Sequence, residues 1–168
     1  MEKSAVYFFA EQPHEWVMWA GLADILREIR ADLPLVFIYV DDPRRREYQR
    51  DVMLYRFDQI HKVSLVSWSH WNKRVTLGNI YAALRKSVPA ARRVASELRD
   101  IKLQPNSVAF VYSGASANQA LFLRRIRSEE TVDSVVLLPF EQTSDSSPSD
   151  FTVEYSQSAY LNFYFHYF

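Results

Sequence analysis

The chain has no cysteine, only three glycines in 168 residues, and no net charge. Each shortage excludes something. Without cysteine there is no disulfide framework, no thiolate zinc site and no cysteine nucleophile, and the composition suits a reducing cytosol. With so few glycines, no Gly-x-Gly-x-x-Gly and no Walker sequence is present, so a glycine-rich nucleotide loop is absent. Twenty basic residues balance twenty acidic ones, which gives no pull toward nucleic acid or an anionic membrane. No apolar run approaches the roughly 20 residues that span a bilayer. The run Ala5 to Ala10 is too short for the apolar part of a signal peptide. The expectation is a cytoplasmic chain with no transmembrane segment, no nucleic-acid partner and no cofactor.

What the chain does have is hydrophobic residues, at 48%, and aromatic ones, at 15%, enough for one domain with a sizeable core. No internal repeat is present, but one type of segment recurs. Ala5–Ala10, Leu33–Val40, Lys62–Trp68, Ser107–Tyr112 and Ser134–Phe140 are short apolar runs rich in β-branched and aromatic residues. Several are apolar at nearly every position, as strands buried on both faces are.

The segments between them carry helical periodicity. From His14 to Arg30, Trp16, Trp19, Ala20, Ala23, Leu26 and Ile29 recur three or four apart. Pro43 to Ile60 and Ser116 to Ser128 are read as two further helices. Thr76 to Leu98 is the clearest, with Ile80, Leu84, Val88, Ala91, Ala95 and Leu98 on one stripe. Pro89 lies inside it, so a kink or break is expected there, with Ser87 as a cap. Alternating strands and helices predict an α/β fold: a three-layer open sheet, mostly parallel, of about five strands with helices on both faces. Right-handed crossovers and one reversal of winding give the order 3-2-1-4-5. Residues 1–140 form this domain. Residues 141–168, a polar loop and an aromatic extension, pack on it or on a partner.

In such a sheet, ligands bind beyond the carboxyl ends of the strands where the order reverses, here between the first and fourth strands. The flanking loops are Ala10–Trp16 and Tyr112–Gln119. In the second, Gly114 permits close backbone approach, while Ser113, Ser116 and Asn118 offer hydroxyl and amide groups. Ser116 is placed to cap the next helix, whose free N–H groups attract anions. The same turn also serves as a plain connector. In the first loop, His14 falls at a helix start, where the macrodipole favours a neutral imidazole able to act as a general base. Glu11 and Glu15 are the carboxylates near enough to orient it. A helix-start histidine with Pro13 fixing the turn is the alternative.

Other stretches offer weaker chemistry. Asp42 with Pro43 suits a helix cap, and Asp41 occupies the strand end where an acid binds ribose in dinucleotide folds. The aspartate pair lacks a third metal ligand, so no metal site is expected. Arg44, Arg45 and Arg46 oppose the helix dipole and would be eased by a phosphate or by neighbouring carboxylates. Trp68, His70 and Trp71 could stack a base or sugar, or pack a loop onto the sheet. In the tail, Leu161, Phe163, Phe165 and Tyr167 alternate with Asn162, Tyr164, His166 and Phe168 as on a strand. An aromatic strand of that kind must be buried, paired in a homo-oligomer, or covered by a missing second domain.

The stretch AVYFFAEQPHEWVMWAGLADILREIR places an apolar strand, a loop with His14 and a helix ending in Leu26-x-x-x-Arg30 in series. It resembles the N-terminal Rossmann-like domain of GT-B glycosyltransferases. That resemblance implies that His14 deprotonates an acceptor hydroxyl. It also implies that a nucleotide-sugar donor sits mainly on a second, C-terminal domain, for which the chain has no room. The expected function is therefore that of a ligand-binding domain, the acceptor-side half of a sugar-transfer enzyme. Its ligand would be a sugar or nucleotide sugar. The alternative is a non-catalytic interaction or dimerisation domain that keeps the fold.

Overall fold

In the computed structural model, residues 4–43, 56–66, 77–111, 116–129 and 132–137 are described. They form five strands and three helices: β1 (Val6–Ala10), α1 (Pro13–Ile29), β2 (Leu35–Asp41), β3 (Gln59–Ser64), α2 (Leu77–Asp100), β4 (Ser107–Val111), α3 (Ala117–Glu129) and β5 (Val132–Leu137). The strands make one sheet in the order β3-β2-β1-β4-β5. Every pairing is parallel, with Phe9 of β1 set between Ile38 of β2 and Val111 of β4. This is the expected topology, and it makes β1 the most enclosed strand.

Burial explains why β1 is apolar throughout. All five of its residues are buried, because alternate side chains enter two separate cores. Val6, Phe8 and Ala10 pack with Leu35, Phe37 and Phe57 beneath Trp16, Trp19 and Ala23 of α1. Phe8 stacks on Phe110, with 5.4 Å between ring centroids, and Trp19 Nε1 donates to the Phe9 carbonyl at 2.9 Å. On the opposite face, Tyr7 and Phe9 join Val36, Ile38, Val40, Val63, Ala109 and Val111 beneath α2 and α3. Phe9 stacks there on Phe122 at 4.7 Å. Among the described residues, α1 covers one face and α2 and α3 the other, as the reversal of winding at β1 requires.

Three local expectations need correction. α2 runs unbroken from Leu77 to Asp100 with Pro89 inside it, and Ser87 is a buried residue of that helix, not a cap. Interior proline costs about 3 kcal/mol or more. Ala91, Val94 and Leu98 are buried just beyond it, and their packing outweighs that cost. The helix read over Pro43–Ile60 cannot reach Ile60, because β3 already begins at Gln59. The third strand itself is Gln59–Ser64, earlier than the Lys62–Trp68 run suggested. β3 is an edge strand whose first two residues are exposed, so its start carries no apolar signature. The Arg44–Arg46 run, the Trp68–Trp71 loop and the aromatic tail lie outside the described residues.

Among the described residues, no helix is long and apolar enough to cross a membrane. Nor is any group of three or more His, Asp or Glu residues gathered to hold a metal ion.

Candidate functional site

The winding reverses between β1 and β4, and two helices begin at the carboxyl ends of these strands. α1 starts at Pro13, three residues after β1, and α3 starts at Ala117. Both N-termini therefore open at the same end of the sheet, each with backbone N–H groups that lack helical partners.

Glu15 organises the first wall. It is only 1% exposed, and its Oε2 accepts from the Glu11 N–H at 2.6 Å and the Gln12 N–H at 3.2 Å. The second of these bonds is half of a capping box, in which the third helical residue returns to the N-cap backbone. Glu11 is itself buried, at 7% exposure. Trp16 follows, packed edge-on to Tyr39.

Ser116 organises the second wall. Its Oγ accepts from the Gln119 N–H at 3.0 Å, and its carbonyl accepts from Ala120 at 2.9 Å, so it is the N-cap of α3. Gln119 then crosses the switch point, its Nε2 donating to Glu15 Oε1 at 3.3 Å. The two walls are joined at their base by this bond between residues 104 positions apart.

The residues singled out from sequence divide into four groups. Glu11 and Ser116 lie in the two walls of the switch point. His14 is exposed, in the first turn of α1 at the carboxyl end of the sheet. Asn118 and Asp41 are turned toward β3. Asn118 is fully buried, with Oδ1 accepting from Val66 N–H at 2.9 Å and Nδ2 donating to the Ser64 carbonyl at 2.7 Å. Its amide fastens the start of α3 to the exit of β3. Asp41 pairs with Lys62 of β3 at 2.7 Å, on the side of β2 away from β1. Ser113 and Gly114 lie outside the described residues.

Sequence reasoning treated Glu15 only as an aid to His14 and missed Gln119. The Gln12-x-x-Glu15 spacing carried a signal for the capping role of Glu15. No local pattern marks Gln119, since its partner is brought to it by the sheet.

Together these features define an open, parallel α/β domain of Rossmann-like type with a polar switch point lined by two helix N-termini. No family model matches the chain, and no curated protein matches it. Among solved structures, it is similar to a crystal structure of UDP-N-acetylglucosamine 2-epimerase, with a TM-score of 0.53 and 14% sequence identity. The likeness covers 94% of this chain but only 38% of that one. At such identity it shows a shared fold.

Proposed function

We propose that this chain is a ligand-binding domain that supplies the acceptor side of a sugar-transfer enzyme of GT-B type and takes a sugar or nucleotide sugar. The observation that carries this reading is the Glu15–Gln119 bond. It brings the loop after β1 and the helix after β4 together under two helix N-termini, beside an exposed histidine. Helix N-termini suit anionic groups such as phosphates. His14 is the group to take a proton from a sugar hydroxyl, and Ser113, Gly114, Ser116 and Glu11 bound the ligand. The structural neighbour bears the name of an enzyme that acts on a nucleotide sugar. That support is analogy of fold, from which function does not follow on its own.

Calorimetry with UDP and UDP-N-acetylglucosamine tests the reading, because a ligand held by the native state is also seen as raised thermal stability. Saturable binding that His14→Ala weakens, with the melting temperature of the free variant unchanged, is the expected result. Absence of binding, or equal binding by the variant, would remove the basis for the site.

A second reading, a non-catalytic interaction domain, is favoured by one feature of α1. Val17, Ile25 and Ile29 are 64%, 54% and 70% exposed and lie with Gly21 on a single row at intervals of four. An Ile25→Glu variant would then dissolve an oligomer seen by sedimentation. A monomeric parent protein would count against this second role.

A further inference from the structure

A groove of about 460 Å³ lies between α2 and α3, lined by Arg92, Ala95, Leu98, Arg99, Leu121, Arg124, Arg125 and Ser128. The spacing shows how it arises. Residues 92, 95 and 99 share one face of α2, and residues 121, 124, 125 and 128 share one face of α3. Where the two stripes meet, four guanidinium groups edge an apolar floor of Ala95, Leu98 and Leu121. No carboxylate belongs to this lining.

Helix electrostatics account for only part of this. Arg125 is explained: its Nε and Nη2 donate to the Leu98 and Ile101 carbonyls at 3.3 and 3.4 Å, satisfying the C-terminus of α2. Arg99 lies in the last turn of that helix, where a cation is favourable. Arg92 is two turns further back, beyond the reach of that effect. Arg124 has a buried Nη1 that finds no hydrogen-bond acceptor among the described residues. A buried guanidinium nitrogen without an acceptor is costly unless something else supplies the oxygen. Gathering four like charges around one groove is also unfavourable, through Coulomb repulsion, and a bound anion relieves both.

We infer that this groove binds an organic phosphate of nucleotide size, its phosphates on Arg92, Arg99 and Arg124 and its apolar body on Ala95, Leu98 and Leu121. The volume falls in the usual range for small-molecule sites, and guanidinium forks match phosphate oxygens two at a time. The groove lies on the outer face of the two-helix layer, along the C-terminal parts of α2 and α3. Both helices run antiparallel to the strands, so these parts lie toward the amino ends of the strands, away from His14. It is thus a separate site from the one at the β1–β4 switch point, and it stands or falls independently of the proposed sugar-transfer function.

Calorimetry on the full chain with ATP as the probe tests it, with inorganic tripolyphosphate and a fluorescent oligouridylate as comparisons. The expected result is one-to-one binding of ATP, weaker at high salt. The Arg92→Gln/Arg99→Gln double variant should weaken it on the order of tenfold or more, whereas His14→Ala leaves it unchanged. Arg92 and Arg99 are exposed, so this variant retains the core, and circular dichroism verifies that. Tripolyphosphate should bind more weakly than ATP, since it has nothing to lay on the apolar floor. No saturation at millimolar ATP, or equal affinity in the double variant, overturns the inference. So does loss of ATP binding in His14→Ala, which would put the nucleotide at the other site. Equal affinity for tripolyphosphate overturns the organic part of the ligand. Oligouridylate binding tighter than ATP, and lost in the same variant, would replace the small molecule with RNA.

Discussion

Gln119 and Glu15 meet across the switch point of the sheet, the amide Nε2 donating to the buried carboxylate Oε1 at 3.3 Å. The same carboxylate holds the Glu11 and Gln12 N–H groups. One side chain thereby shapes the loop after β1 and attaches it to the helix after β4.

Removing that carboxylate strands several donors in a buried place. Glu15→Ala should lower the unfolding free energy by about 2–3 kcal/mol, the usual cost of orphaned buried partners of a charged acceptor. Glu15→Gln, which keeps one carbonyl oxygen, should cost less. Urea denaturation gives both values, and a loss below about 0.5 kcal/mol, within the range of an ordinary surface substitution, would contradict the central role assigned to Glu15.

Asn118 does a comparable job at β3. Asn118→Ala leaves the Ser64 carbonyl and the Val66 N–H without their partner, at an expected cost of roughly 1–3 kcal/mol. Hydrogen exchange localises the effect: the Val66 amide should lose protection well before the amides of β1. Uniform loss across the sheet would mean that Asn118 supports the whole fold and not this one junction.

Gly21 offers the opposite sign. It is exposed in the interior of α1, and a Cβ added there has no heavy atom within 4 Å. Gly21→Ala should therefore stabilise the protein by up to about 1 kcal/mol through helix propensity alone. A destabilised variant would show that something packs on this face of α1 in solution.

His61 sets a pH dependence. Desolvation on β3 holds its pKa below the ordinary 6.5, and its Nε2 is buried with no partner among the described residues. The folded state resists the proton that the unfolded chain accepts, so stability rises with pH in this window. The contribution is complete above pH 6.5 and is lost as pH falls from there toward the depressed folded value. Urea midpoints between pH 5 and 8 should slope downward on the acid side for the parent protein, and more gently for His61→Gln. Parallel slopes would assign the acid sensitivity to other groups. Asp58 is one such group, at lower pH. Desolvation raises its pKa, but the Leu35 N–H and the Arg27 guanidinium outweigh that and leave it below the ordinary carboxylate value.

The layout is legible because the central strands β1 and β2 are apolar at nearly every position and the helices carry apolar stripes. Both patterns are local, and winding rules turn them into a strand order. β3 was misplaced because an edge strand exposes its first residues and so looks polar. Pro89 misled because its cost is local, whereas the packing of Ala91, Val94 and Leu98 that overrides it is not.

The sequence by itself determined the fold class, the order of elements and the strand order, with its reversal between β1 and β4, since these follow from hydrophobic period and from chirality. Only the tertiary structure decided which side chains meet there. His14 faces solvent while its neighbour Glu15 is buried, because adjacent residues on a helix point about 100° apart. Asn118 and Gln119 likewise part company, one toward β3 and the other toward Glu15. Which partner each one finds depends on strands brought side by side from distant parts of the chain, and no short stretch of residues encodes that.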